Sequence, residues 1–418
     1  MPNNNEDKIL MISYFYATKG CCPAEWADDK TNALSTIGKK IILLSSVFSI
    51  KSCDKNIVHY RVPSLSIVDL KHELHEIKIN NLKMPWFSLI MLFPFIITLG
   101  LTLDLLQKFI TSGNGGGKWS WTFPASVVAL YLFFRHGCNL IFTTGGPAGA
   151  HLASVFVKLF TKKRLICELQ DPLTGKDIGR TSRSALFLGY VEKIILNSAD
   201  KVVYVTKDAA EYVKNRYKSV KADIVAIYPG SKSFEKENKI SLNELNKKLT
   251  IIHLGTLYST RNFYTLIEAI DCLIDENEIS EEQIEILNLG EMYGDLKEHH
   301  LAKSYIRYET IKPREEAIKV ASSFMVSLLV QHSDSRSNAT IPYKTYDYIN
   351  ISNPILALTN SHELHEMLTS SGHISVNINN IANIKLALLN LLSNYENCKK
   401  NVNPLAIDIL KQTADILK

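Results

Sequence analysis

The sequence is short of the features that mark several large classes of protein. Its seven cysteines are odd in number and irregularly spaced, with Cys21 next to Cys22 and no Cys-x-x-Cys pair. That pattern argues against a disulfide framework or a zinc site and for free thiols in a reducing compartment. The net charge is only +5, far from the dense basic field of a nucleic-acid binder but compatible with an acidic substrate or an anionic bilayer surface. Met1 to Lys8 has neither a basic n-region nor an apolar core, so no secretory signal is visible and a cytoplasmic location is expected. No repeat of fixed short period is present. No Asp-x-Asp pair stands where it could hold a metal, and Asp334-Ser335-Arg336 lacks the second acid, so no metal is expected. The 418 residues are 46% hydrophobic and 21% charged, which disfavours disorder and a polytopic membrane protein and suits two ordinary domains.

What is present is a repeated alternation of strand, glycine turn and helix. Ile9 to Tyr16 has the length and apolarity of a strand, Ala17-Thr18-Lys19-Gly20 of a loop, and Lys40 to Ser46 of the next strand. This is the opening of a parallel α/β sheet, and such sheets bind ligands beyond the C-terminal ends of their strands, where Gly20 stands. Further on, Asn139 to Thr144 reads as a strand ending in Gly145-Gly146-Pro147, with a helix from Ala148 to Phe160 in which His151 serves packing. Arg164 to Leu169 is a strand ending in Gln170-Asp171-Pro172. An acid there can orient an acceptor hydroxyl or a sugar, or simply cap a helix or form a turn.

One stretch breaks the pattern. From Met84 to Leu103 there is no charge, about the length needed to cross a bilayer. Strands before and after it belong to one sheet, and the only returning candidate, Phe123 to Phe134, is too short to span. The reading is a pair of apolar helices between about residues 84 and 134, flanked by Lys83, Lys108, Lys118 and Arg135, that dips into the cytoplasmic leaflet or covers an acceptor groove. Plain burial is the alternative. Between the two, Ser112 to Trp119 imitates a phosphate loop, but Trp119 replaces the required Ser/Thr, so it is expected to be a flexible connector.

The charged, Asn-rich segment 233–248 reads as an interdomain linker. A second α/β unit follows. Leu249 to Leu254 is a strand, Gly255-Thr256 its turn, and Arg261 heads the helix Phe263 to Asp271; the glycine allows close backbone approach and the guanidinium can pair bidentately with a diphosphate. Ile284 to Leu289 is another strand before a glycine, Gly290. The stretch around which the chain is organised is Ile341 to Leu358: a short helix starting near Pro342, with Lys344 and Asp347 at its start, then a turn at Pro354 and a buried strand. An anion there would meet free backbone N–H groups and Lys344, while Asp347 could accept hydrogen bonds from paired hydroxyls. The plainer reading is a surface helix with both charges solvated.

These motifs resemble those of retaining, nucleotide-sugar-dependent glycosyltransferases with the GT-B fold, the group called family 4-like. Pro342, Lys344, Asp347, Tyr348 and Pro354-Ile355 match its Pro-Ser-Lys-x-x-Glu-Tyr signature; His253, Gly255 and Arg261 match His-x-Gly-Ser-Leu-Tyr-x-x-Arg; Pro147, His151, Asp171 and Pro172 match two weaker segments, with Gln170 in an arginine slot. The first acid of the family's Glu-x7-Glu pair is absent: Ala339 occupies its place. The resemblance implies two Rossmann-like domains facing across a cleft. An N-terminal acceptor domain would cover 1–232, a donor domain 249–395, and C-terminal helices 396–418, the last packing back on the first domain. It further implies that Gly255, Thr256, Arg261, Gly290, Lys344 and Asp347 bind a UDP-, GDP- or other nucleoside diphosphate sugar, that Gly20 faces the acceptor and the transferred phosphate, and that Gln170 and Asp171 serve catalysis. No cofactor or metal would be needed. The acceptor would be lipid-linked or an oligosaccharide, in surface polysaccharide synthesis, with peripheral membrane contact and no nucleic acid. A nucleotide-sugar 2-epimerase and a non-catalytic relative are the alternatives.

Overall fold

The computed structural model describes residues 7–18, 20–84, 86–111, 117–175, 182–232, 248–334, 337–338, 340–351, 353–403 and 407–418. The expected linker apart from Lys248, residues 112–116 of the glycine-rich connector, and Ala339 lie outside them. The chain divides into two compact units, Met1–Pro229 with Asp408–Lys418, and Gly230–Ile407.

The first unit runs β1 (Lys8–Ile12), α1 (Cys22–Thr36), β2 (Lys40–Ser46), β3 (Ile57–Val62), α2 (Ile67–Ile79), α3 (Trp86–Thr111), α4 (Thr122–His136), β4 (Leu140–Gly145), α5 (Ala148–Thr161), β5 (Arg164–Leu169), α6 (Ser182–Ser198), β6 (Lys201–Tyr204), α7 (Lys207–Arg216) and β7 (Asp223–Ala226). The second runs β8 (Leu249–Leu254), α8 (Tyr264–Asp275), β9 (Ile284–Leu289), α9 (Leu296–Leu301), β10 (Ile306–Glu309), α10 (Arg314–Ser322), β11 (Val326–Val330), α11 (Lys344–Ile351), β12 (Ile355–Leu358), α12 (His362–Thr369), β13 (Ile374–Val376) and α13 (Ile381–Asn401). The last helix, α14 (Ile409–Leu417), belongs to the first unit, where it packs on α1.

Both sheets are parallel and doubly wound. The first has seven strands in the order β3-β2-β1-β4-β5-β6-β7, the second six in the order β10-β9-β8-β11-β12-β13. Strands buried on both faces explain the apolar runs: every residue of β8 and β11 is buried. In each sheet the order reverses beside the first strand, between β1 and β4 or between β8 and β11, the kind of point at whose C-terminal strand ends parallel sheets bind ligands.

Several expectations need correction. The first strand stops at Ile12, because Ser13 Oγ donates to Phe15 O (2.7 Å) and Tyr14 turns inward against Phe48 and Trp121. The helix expected near Pro342 begins at Lys344. Lys118 is no surface flank, since its ammonium is paired with buried Asp69 at 3.0 Å. Within the described residues the apolar stretch is not buried: α3 is continuous through Pro94, and only 6% of its apolar window, Leu89–Ile110, is buried.

Helix α2 carries a buried acid, Glu73, that nothing in its local sequence marks out. Glu73 is fully enclosed and accepts from Tyr14 Oη (2.9 Å), Ser64 Oγ (2.6 Å) and Ser64 N (3.0 Å). Burial lifts its carboxyl to about 7 from 4.5, outweighing these donors, which favour the anion. A raised folded pKa makes a carboxyl's contribution to stability complete below the unfolded value and erodes it as pH rises through the folded one. Unfolding free energy is therefore expected to fall between about pH 4.5 and about pH 7, with that component missing in Glu73→Gln. Urea melts across the interval measure it; an unchanged slope in the variant would assign the pH dependence elsewhere.

Candidate active site

In the second unit the chemistry gathers where β8 and β9 end. Register pairs His253 with Asn288 and Leu254 with Leu289, so each strand finishes as polar residue, leucine, glycine at the same level. The two polar side chains meet: His253 Nδ1 lies 2.6 Å from Asn288 Oδ1, and Asn288 Nδ2 donates to Gly290 O at 2.7 Å. That second bond fixes the amide, making Oδ1 the acceptor, so Nδ1 of His253 carries the proton. The other ring nitrogen, Nε2, then presents a lone pair, and Lys344 Nζ donates to it at 2.5 Å while also donating to Leu254 O at 2.8 Å. Burial, and next the Lys344 charge, hold the His253 ring well below the usual imidazole range. A neutral imidazole is what the lysine needs as acceptor.

The two glycines bring backbone against backbone. Gly255 has φ +116° and Gly290 φ +148°, and a Cβ on Gly290 would stand 2.4 Å from the carbonyl carbon and oxygen of Gly255. A Cβ on Gly255 would lie 3.8 Å from Lys344 Nζ, so the ammonium sits over the bare backbone of the turn. Gly290→Ala is expected to cost about 2–3 kcal/mol of stability, because backbone rather than a flexible side chain must yield. Gly294→Ala, strained only by φ +66° with nothing within 4 Å, should cost about 1 kcal/mol. Denaturant melts of the pair test this; equal losses would show that the close approach is relaxed cheaply.

Arg261 stands in the turn after β8, where the Tyr258 and Arg261 backbones exchange hydrogen bonds of 2.9 and 2.7 Å. Its guanidinium lies over the Tyr258 ring at 5.4 Å, and its buried Nε has no hydrogen-bond partner among the described residues. Its charge also bears on His253, which places two cations around one ring. Thr256 is half-buried beside them.

The start of α11 is less open than the sequence suggests. Thr345 N and Tyr346 N bond to Pro342 O and Tyr343 O (2.9 and 3.0 Å), a tight turn that satisfies two of the donors expected to be free. Tyr348 reaches back, its Oη accepting from Leu254 N at 2.7 Å. Asp347 is buried and its carboxylate is engaged. Arg314 donates from Nη2 to Oδ1 (2.6 Å) and from Nε to Oδ2 (3.1 Å), and Ser231 Oγ donates to Oδ1 (2.7 Å). Without a ligand it links α11 to α10 and to the segment at Ser231.

Gln170, Asp171 and Gly20 belong to the first unit. Gln170 follows β5, with its Oε1 3.8 Å from where a Cβ of Gly146 would be and its buried Nε2 without a hydrogen-bond partner among the described residues. Asp171 beside it is exposed. Gly20 has φ +70°, and its N–H donates to Glu25 Oε1 at 3.3 Å. His151 packs as expected, its Nε2 3.1 Å from Gly145 O. Below these loops lies an ion pair that the sequence did not reveal: Lys30 Nζ and Glu168 Oε1, both fully buried, 3.0 Å apart, with Thr144 Oγ1 donating to Glu168 Oε2 at 2.6 Å. Its members are 138 positions apart in sequence, and only the sheet brings α1 against β5. The His253–Asn288 pair, by contrast, had a signal in the twin polar-Leu-Gly strand ends.

No family model matches the chain, and no curated protein matches it. Solved structures do. Anabaena HepE in complex with UDP and glucose aligns with a TM-score of 0.62 at 11% identity over 98% of each chain. A glycosyltransferase from Rickettsia africae aligns at 0.60 and 13% identity over 99% of each chain. The lipopolysaccharide outer core galactosyltransferase WaaB aligns at 0.57 and 9% identity, over 98% of this chain and 99% of that one. The chain therefore has the GT-B fold of the glycosyltransferases, two Rossmann-like units in one polypeptide.

Proposed function

We propose that the protein transfers a sugar from a nucleoside diphosphate sugar to a lipid-linked or oligosaccharide acceptor at the cytoplasmic face of the membrane, in synthesis of a surface polysaccharide. The observation that carries this reading is Lys344, held by neutral His253 and Leu254 O over the bare turn at Gly255. A diphosphate laid on that turn gains a fixed cation, close backbone approach and a second cation in Arg261, whose buried Nε has no acceptor among the described residues. The charge that grows on the leaving diphosphate is thereby stabilised by groups that need no rearrangement. Gly290 and Thr256 line the same turn. Gln170 and Asp171 orient the acceptor hydroxyl, and the anomeric configuration is retained without metal. HepE, crystallised with UDP and glucose, and WaaB, a lipopolysaccharide galactosyltransferase, support the donor class and the kind of acceptor.

The test is thermal stabilisation against a panel of nucleoside diphosphates and their sugars, followed by product analysis with and without a membrane extract. Stabilisation by one base and sugar transfer to the extract would support the reading. Epimerisation at C2 without acceptor would replace it with a 2-epimerase, and no stabilisation by any nucleotide would make the protein a non-catalytic relative.

A further inference from the structure

We infer that the outer face of the α3–α6 layer docks on an anionic bilayer, with α3 lying in the plane of the headgroup boundary rather than crossing. This rests on the reading above for its purpose, meeting a lipid-borne acceptor, but the surface stands on its own observations.

The first is exposure. Phe87 is 79% and Trp86 66% accessible, and apolar side chains continue outward along the whole of α3. The surface does not end with that helix. On α4, Phe123, Val127, Tyr131 and Phe134 form an exposed stripe at helical spacing, and Leu186 and Tyr190 do so on α6. These helices are neighbours: α4 and α5 pack together over the sheet, α6 lies against α5, and α3 lies against α6. An apolar surface of this extent is far larger than a lone soluble domain presents to water.

The second is charge. From Met84 to Arg164 the sequence has one acid, Asp104, against seven lysines and arginines. Asp104 is turned inward, accepting from Ile67 N at 3.0 Å at the start of α2. The cations Lys83, Lys108, Arg135, Lys162, Lys163 and Arg183 are all exposed. Among the described residues of the helices α3 to α6 no acid faces outward, Glu192 of α6 being buried, and an apolar face with cations suits acyl chains beneath anionic headgroups; a second copy would meet like charge.

The third is attachment. The C-terminal half of α3 is tied down by Asp104, by Gln107 Nε2 on Asp69 (3.4 Å) and by Arg183 Nη1 on Phe109 O (3.0 Å). At Gly100 the helix approaches so closely that a Cβ would be 3.1 Å from Leu65 O. The residues N-terminal to these ties, 86–99, span about 21 Å at 1.5 Å per residue, short of the roughly 30 Å hydrocarbon core, and Ile96 among them is buried. Their N-terminal end returns at once to α2, where Leu82 N bonds to Ile77 O at 2.9 Å. Crossing would tear α3 from the sheet layer.

Flotation of the full chain with phosphatidylcholine vesicles, with and without phosphatidylglycerol, tests the inference. Binding is expected to rise at least tenfold with the anionic lipid and to fall at least tenfold in a Phe87→Asp, Met91→Asp double variant, whose positions are already exposed and so should not disturb folding. Trp86 fluorescence should be quenched by lipids brominated near the headgroup more than near the chain ends. Failure of the unaltered chain to float, equal flotation of the variant, or deepest quenching at the bilayer centre would each overturn it. So would a vesicle-free dimer, dispersed by the double variant, that buries Trp86. Nucleotide stabilisation measured on the same samples separates loss of the docking face from failure of the glycosyl-transfer reading.

Discussion

Lys344→Ala is expected to weaken nucleoside diphosphate binding about a hundredfold, roughly 2.7 kcal/mol. The ammonium is positioned before any ligand arrives, by Leu254 O and by His253 Nε2, so its electrostatic contribution comes without ordering a free side chain. The lysine also satisfies those two acceptors, and its removal should lower the melting temperature of the ligand-free protein. The quantity to compare is therefore the shift each protein shows on adding nucleotide, relative to its own baseline. Arg261→Ala should reduce that shift less, because its guanidinium lies partly on Tyr258. The His253 ring, held neutral by burial and by the Lys344 charge, adds a pH corollary. A histidine depressed in the fold contributes stability above its unfolded value of 6.5 and loses it as pH falls. Affinity should thus show no histidine step near pH 6.5. A ligand-induced shift unchanged in Lys344→Ala, or a clear step there removed by His253→Asn, would contradict this account of the site.

The lysine was legible because it belongs to a run with an internal logic: a helix start, a cation, a proline turn and a buried strand. The parallel sheets were legible for a similar reason, since strands buried on both faces read as short apolar runs before glycines. The strand β3 was not, because Ile57–Val62 alternates Val, His, Tyr and Arg at a sheet edge with only its ends buried. Composition drew attention to α3 but could not say whether its apolar length faces protein or solvent. That depends on what packs against it, which local sequence does not encode. Lys118 shows the same limit in reverse. It has the look of a flanking surface charge, and its partner Asp69 lies on α2, 49 positions away in sequence.

Arg314→Met is expected to be strongly destabilising, costing about 3–5 kcal/mol. Both members of the Arg314–Asp347 pair are nearly enclosed, with side chains 11% and 7% accessible, so solvent screens little of the interaction. Losing the guanidinium removes both charged donors, Nη2 and Nε, from the buried carboxylate, while the Ser231 hydroxyl is a neutral one. Asp347→Asn keeps a side chain of the same shape that can still accept from Ser231. The double variant should therefore recover part of what Arg314→Met loses, and a double-mutant cycle on urea midpoints measures how much. The cycle also decides between two roles for Asp347. Asn350 Nδ2 donates to Ser231 Oγ at 3.1 Å and to Lys232 O at 3.0 Å, so the carboxylate belongs to a network that fastens the Ser231–Lys232 segment to α11, the helix carrying Lys344. If that fastening is its role, Asp347→Asn should reduce stability more than it reduces nucleotide affinity. If instead Asp347 leaves Arg314 to hold paired hydroxyls of the ligand, affinity should fall steeply while the free protein keeps its midpoint, and additive single losses would show that the ion pair is not the anchor.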